Sequence, residues 1–228
     1  STIKLFSAYG SLLGINLRFH NDNAVAALRD IPGLVVASPS RPDDAAAMLR
    51  TCVAAADVDG RVCVFLEPIA LYHARDLHEP GDNRWTAKYP EPGTGHVPIG
   101  RARQYGTGTD LTLVTFGNGV PMSLRVARRL RERGITARVV DLRWLSPLPE
   151  ADLVRAAEAT GRVLVVDETR RSGGVSEAVL TTLVDHEYTG AMARVTSEDS
   201  FIPLGEAAYH VLVDEETVEQ AAWRLLKE

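Results

Sequence analysis

Cysteine is nearly missing from these 228 residues: Cys52 and Cys63 are the two in the chain, eleven positions apart and without a flanking histidine. That leaves no material for a disulfide framework or a cysteine-rich metal site. A Cys52–Cys63 bridge stays open by count, and buried thiols in a reducing compartment are the plainer expectation. No run of about 18 apolar residues occurs, so no helix is expected to span a bilayer. Residues 1–17 lack a cationic start and a small-x-small cleavage site, which makes a poor signal peptide. The expected location is cytoplasmic, away from membranes. The chain opens on Ser1 rather than Met, which points to a processed chain or a fragment. Neither sign of charge dominates. The net charge is −5, with 9 basic and 11 acidic residues in 1–100 and 16 and 19 in 101–228. Without a basic patch, nucleic acid is not the expected partner. Low-complexity repeats are absent too, and 45% hydrophobic content is enough to bury a core in one large or two small domains.

What is there alternates between apolar runs and helical patterns. Leu34–Ala37 reads as a strand, ended by Ser38-Pro39-Ser40-Arg41-Pro42, with Pro42 suited to a first helical turn and Asp43-Asp44 to its dipole. Ala45–Ala56 reads as a helix burying Met48, Leu49 and Cys52. Val62–Leu66 has no polar alternation and reads as a strand covered on both faces. Residues 67–96 break the pattern with four prolines and with glycines at 81, 93 and 95, together with many charges, which marks a linker.

After it, Leu111–Phe116 reads as a strand and Gly117-Asn118-Gly119 as a turn. Val120, Leu124, Ala127 and Leu130 fall at helical spacing up to Gly134. Ala137–Leu142 is the next strand, Glu150–Ala159 a helix, Arg162–Val166 a strand, Gly173-Gly174 a turn and Val175–Val184 a helix. Asp214–Leu226 closes the chain as an amphipathic helix with Val218, Ala222, Leu225 and Leu226 inward. Strand–helix–strand units of this length imply parallel sheets. The expected fold class is α/β: two small open parallel-sheet domains.

Generic catalytic motifs are absent: no GxxxxGKS or GxxxxGKT loop, no HExxH, no GxSxG. The polar cluster Phe19-His20-Asn21-Asp22-Asn23 places a neutral imidazole where it can move a proton or hold an anionic substrate near neutral pH. The same residues also suit a helix N-cap, by Asp22 or Asn23. Asp167-Glu168 follows a buried strand, where carboxylates either reach the crevice of an open sheet or cap the next turn. Arg170-Arg171 beside Gly173-Gly174 suits an anion or a partner subunit, or simply a solvated turn. His73, His78 and His96 lack ligand spacing, and His186 suits a helix C-terminus.

Taken in order, several of these pieces resemble one family. Residues 137–147 (ARVVDLRWLSP), then Thr160-Gly161-Arg162, then Glu168 and 173–177 (GGVSE), resemble the C-terminal domain of transketolase-like enzymes. The nearest likeness is to the beta subunit of thiamine-diphosphate-dependent 2-oxoacid dehydrogenases. Upstream, residues 19–24, Ile31–Pro39, Asp44, Phe65-Leu66-Glu67-Pro68 and Leu71-Tyr72 are similar to the second half of that family's pyrimidine-binding domain.

The resemblance implies a division into 1–80 (second half of the pyrimidine-binding domain), 81–104 (linker) and 105–228 (transketolase C-terminal-like domain). It implies oxidative decarboxylation of a 2-oxoacid, pyruvate or branched-chain, with acyl transfer to a lipoyl group. Thiamine diphosphate with Mg2+ would be the cofactor, held mainly by parts outside this chain. The implied partners are an alpha-type cofactor-binding subunit, a dihydrolipoyl acyltransferase and further copies of the chain. His20 stands in the place of the family's catalytic histidine, next to substrate and lipoyl groups. The sequence departs from the family in three ways. No equivalent of its cofactor-activating glutamate occurs in 1–18. Asn-Asp-Asn follows His20 instead of serine and glutamine. The GDG…N diphosphate motif is absent, for Gly81-Asp82-Asn83 lacks its context. Two other expectations therefore stand beside the first: a transketolase or deoxyxylulose phosphate synthase C-terminal region, and a non-catalytic association or docking fragment.

Overall fold

Two sheets organise the chain in the computed structural model, which describes residues 3–7, 25–91 and 94–227. The first sheet runs β1 (Ile3–Ser7), β3 (Cys63–Glu67), β2 (Val35–Ala37), β7 (Trp144–Ser146). The second runs β4 (Arg103–Tyr105), β6 (Ala137–Asp141), β5 (Leu111–Thr115), β8 (Arg162–Arg170), β9 (Ala191–Ser197). The α/β class and the pair of sheets agree with the sequence, but the sheets are not wholly parallel. β7 pairs antiparallel with β2, and β4 pairs antiparallel with β6; every other pairing is parallel. Both antiparallel strands are three residues long and lie at sheet edges, where no crossover helix is needed. β7 follows β6 after only Leu142 and Arg143. Arg143 turns the chain with φ 60, which sends β7 into the other sheet.

The central strands are buried on both faces, and alternate residues feed different clusters. On β2 and β3, Val36, Val64 and Leu66 join a cluster that also contains Val114, Val140, Leu145 and Val165, so one core draws on both sheets. Val35, Ala37, Cys63 and Phe65 point the other way, toward α2 (Pro42–Val58) and Trp144. On the second sheet Leu111, Leu113, Leu164 and Val166 pack with α3 (Gly119–Glu132) and α6 (Glu215–Leu225). The remaining helices are α1 (Val25–Arg29), α4 (Glu150–Glu158) and α5 (Val175–Asp185). No helix among the described residues is long and apolar enough to cross a membrane.

Local signals explain the element ends. Pro42 opens α2, the Asp214 carboxylate accepts the Thr217 N–H at 2.7 Å at the start of α6, and Gly134 follows α3 with φ 84. Four expectations need correction. Leu49 is not buried, because its face of α2 opens on a crevice; Leu124 and Ala127 are half-buried for the same reason on α3. Leu226 is only half-buried at the end of α6. β8 continues through Asp167-Glu168 to Arg170, with a register shift between Asp167 and Arg170, rather than stopping at Val166.

Residues 67–91 carry almost no regular structure beyond a 3-10 turn at Ile69–Leu71, yet side chains tie them down. Asp76 accepts the N–H groups of Gly81 and Asn83. Arg41 donates to the carbonyls of Arg84 and Thr86, and Arg50 to that of Pro90 at 3.1 Å.

Candidate active site

In open α/β sheets ligands settle beyond the carboxyl ends of the parallel strands, where no side chain of the next strand blocks access and helix N-termini converge. At that edge of the first sheet lies a cavity of about 470 Å³. Pro39–Pro42, leaving β2, and Glu67–Pro68, leaving β3, form one side; Leu49, Trp85 and Tyr89 form another. The Arg41 guanidinium stacks 5.1 Å over Trp85, and Arg50 lies 5.5 Å over Tyr89. The Tyr72 hydroxyl donates to Glu67 Oε2. Partial burial, with the Glu67 carboxylate beside it, pushes the phenol up to about 12, so near neutral pH the hydroxyl stays protonated on its bond to Glu67. The buried Trp85 Nε1 has no hydrogen-bond partner among the described residues. This arrangement suits a flat or apolar body between aromatic walls, with a polar end at the Glu67–Tyr72 pair; the Arg41 guanidinium is already paired with Asp43 at 3.2 Å.

Beneath this cavity the Asp141-Leu142-Arg143 motif joins the sheets. Arg143 grips Asp44 with two bonds, Nη2 to Oδ1 at 2.9 Å and Nε to Oδ2 at 3.2 Å, and Arg103 adds a third at 3.0 Å. Asp44 is 6% exposed in its side chain, so all three bonds are shielded from water. The Arg143 carbonyl accepts the Ser38 N–H at 2.7 Å, and its N–H donates to Asp141 Oδ1 at 3.1 Å. Burial pushes the Asp141 carboxyl up to about 7.

The second sheet reverses its strand order at β5, placing β6 on one side and β8 on the other. Asn118, just past β5, donates from Nδ2 to Glu168 Oε1 at 2.8 Å across that switch point. Burial pushes Glu168 up to about 7, the Asn118 bond opposing and the neighbouring Asp167 charge adding to it; Oε2 has no partner among the described residues. The two carboxylates read together from the sequence thus do different things. Asp167 takes the capping role, accepting the Thr169 N–H and hydroxyl and the Ser176 N–H at the start of α5. Glu168 is buried and takes neither role, reaching across to Asn118 instead. Arg170 stacks 5.3 Å over Phe201 and donates to the Ser200 carbonyl. Gly174 is a packing requirement, since a Cβ there would stand 2.3 Å from the Arg170 carbonyl oxygen.

His20, with Phe19 and Asn21–Asn23, lies outside the described residues. His73 and His96 are exposed and His78 half-buried; they do not converge. His186 caps α5, its Nδ1 2.9 Å from the Thr182 carbonyl. Cys52 and Cys63 are free and buried, and burial pushes the Cys52 thiol up to about 12, which leaves it unreactive. No group of three or more His, Cys, Asp or Glu able to hold a metal ion occurs among the described residues. Asp82 of Gly81-Asp82-Asn83 spends its carboxylate on the N–H groups of Leu77, His78, Glu79 and Arg84. The described residues therefore do not fit a magnesium–diphosphate site. Sequence reasoning missed Asn118, Trp85 and the Asp44–Arg143 pair. The spacing that would have found the pair is 99 residues long, beyond any local pattern.

Residues 100–221 match the family described as transketolase, C-terminal domain, more than half of the chain. The chain belongs to this family. Over more than the matched span, this transketolase C-terminal-domain protein also resembles curated relatives. It is 30% identical over 211 residues to the pyruvate dehydrogenase E1 component subunit beta of Bacillus subtilis, covering 91% of this chain and 60% of that one. It is 32% identical over 191 residues to the subunit of the same name from Staphylococcus epidermidis, covering 82% and 54%. A solved structure described as a split-gene transketolase, an inactive beta4 tetramer, superposes with a TM-score of 0.70 at 27% identity, covering 92% of this chain and 63% of that one. The chain thus spans little more than half the length of the curated relatives it matches. The Asp141–Arg143 motif that clamps the sheets lies inside the family match.

Proposed function

We propose that this chain is the beta-type portion of a 2-oxoacid dehydrogenase of the pyruvate or branched-chain type, acting with an alpha-type subunit that supplies the cofactor-binding half. The likeness to pyruvate dehydrogenase E1 beta subunits carries this reading, because it runs over 82–91% of the chain and so includes the first-sheet crevice as well as the family domain. On this reading residues 1–80 form part of a pyrimidine-binding domain, 81–104 connect, and 105–228 form the C-terminal domain, which lends β7 to the first sheet. Thiamine diphosphate with Mg2+ belongs to the assembled site and supplies the carbanion chemistry. This chain's residues bind and orient. The Glu67–Tyr72 pair offers a polar end beside the aromatic walls at the strand ends, and His20 acts on the substrate and on the lipoyl group of a dihydrolipoyl acyltransferase. A cytoplasmic setting and association between copies belong to the same proposal.

The test is reconstitution. The chain, an alpha-type subunit, thiamine diphosphate, Mg2+ and a lipoyl domain should decarboxylate pyruvate or 3-methyl-2-oxobutanoate and acylate the lipoyl group, and His20→Ala should cut the acylation step by about a hundredfold or more. Acylation at the full rate in His20→Ala removes that residue from the mechanism. The 27% identical split-gene transketolase favours a second reading, ketol transfer between phosphosugars. Turnover of a ketose phosphate donor without any 2-oxoacid decarboxylation would establish it in place of the first. Calorimetric binding of thiamine diphosphate to the isolated chain would overturn the need for a partner's half-site. Inactivity with every alpha-type partner would leave an association fragment.

A further inference from the structure

Away from the strand ends, three pieces of chain enclose a cavity of about 800 Å³, large enough for a small organic ligand. One wall is α3, where Leu124, Ala127, Arg128 and Arg131 share one helix face by their three- and four-residue spacing. The loop Tyr105–Thr109 and the start of β6 form the floor, and residues 78–84 arch over it.

The walls hold their shape without a ligand. Four backbone N–H groups bind the Asp82 carboxylate at 2.8–3.1 Å and fold the arch. Glu79 pairs with Arg128 at 2.9 Å and ties the arch to α3. Below, Arg138 Nε donates to the Gly108 carbonyl at 2.7 Å. A Cβ on Gly108 would stand 2.5 Å from the Ala137 backbone, so the loop lies directly on β6. Such preorganisation removes the ordering cost that weakens most surface sites.

The charges left over are positive. Glu79 is used on Arg128 and Asp82 on backbone amides, whereas Arg84 and Arg131 have no acidic partner among the described residues. His78 Nδ1 is buried with no hydrogen-bond partner among the described residues. Burial, then the Arg128 and Arg84 charges, hold its imidazolium below the ordinary histidine range, with Asp82 opposing and Arg125 adding to the effect. Leu124, Ala127 and Val139 supply an apolar surface beside these groups.

We propose that this cavity binds a phosphate monoester of a small organic molecule, with the phosphate held by Arg84, Arg131 and His78 and the organic body resting on Leu124, Ala127 and Val139. Guanidinium groups suit a phosphate because their fork matches two of its oxygens. The site is independent of the proposed dehydrogenase reaction and needs no partner subunit.

Calorimetry on the 228-residue chain tests it, with AMP and phenyl phosphate as probes and adenosine, phenol and inorganic phosphate as their separate halves. At least one ester should bind more tightly than either of its halves, and added salt should weaken it. The double variant Arg84→Ser/Arg131→Ser should weaken that ester by about tenfold or more while leaving the unliganded thermal midpoint unchanged, since both side chains are exposed and unpaired. Arg84→Lys/Arg131→Lys should recover part of the loss through charge alone. If neither ester binds wild type more tightly than the serine variant, or if inorganic phosphate binds as well as both esters, the proposal is overturned.

Discussion

Glu168, a residue 8% exposed, has one oxygen bonded to Asn118 and the other without a partner among the described residues. Its neutral form is favoured in the folded state, so the folded chain holds a proton that the unfolded chain releases near the ordinary glutamate range. The sign follows from linkage: between about pH 4.5 and 7 the folded state binds more protons, so stability falls as pH rises through this window and levels off above it. Glu168→Gln keeps the oxygen that accepts from Asn118 and removes the titration. Urea unfolding of this variant should show a flatter pH dependence over that window and, at pH 8, a gain on the order of 2 kcal/mol over wild type. An unchanged slope would mean that Glu168 is ionised in the folded chain. Gly174 is decided by space at the same scale: with φ −67 its backbone suits any residue, and Gly174→Ala should still cost about 1–3 kcal/mol, read in the same unfolding assay, because the methyl group meets Arg170, Thr169 and Asp167.

Helices were legible from periodicity because their burial is periodic, and central strands from unbroken apolar runs because both their faces are covered: α3, α4, α5 and α6 lie within a residue or two of the spans read from sequence. β4 and β7 were not legible. Three residues are too few to show alternation, and both strands exist only because a neighbouring strand offers an open edge. The segment 76–86 shows the same limit in another form. Its prolines, glycines and charges read as a linker, and its order depends on where two aspartates direct their oxygens. Asp82→Ala should speed amide hydrogen exchange at Leu77, His78, Glu79 and Arg84 together, leaving β5 and β8 protected. Exchange faster at one of these amides alone would show that the carboxylate does not organise the turn.

At the scale of the whole molecule, the chain closes on itself through Arg143. One core cluster draws on both sheets, β7 crosses from one to the other, and the Asp44–Arg143 pair fastens the crossing out of water. Breaking a buried pair strands the remaining charge, here in part consoled by Arg103, so Arg143→Ala should lower stability by on the order of 3 kcal/mol. In a double-mutant cycle with Asp44→Asn the two changes should couple rather than add, measured by chemical unfolding; additive losses would show that the pair does not join the sheets. By itself the sequence determined the α/β class, the helix spans and the family, because apolar period, caps and the DLRWLSP segment act over a few residues. Tertiary structure alone decided that Asp44 meets Arg143, that Asn118 meets Glu168, and that a stretch resembling a linker roofs a cationic cavity. Those contacts join residues dozens of positions apart, and no local pattern encodes which distant charge will share a dry space with which.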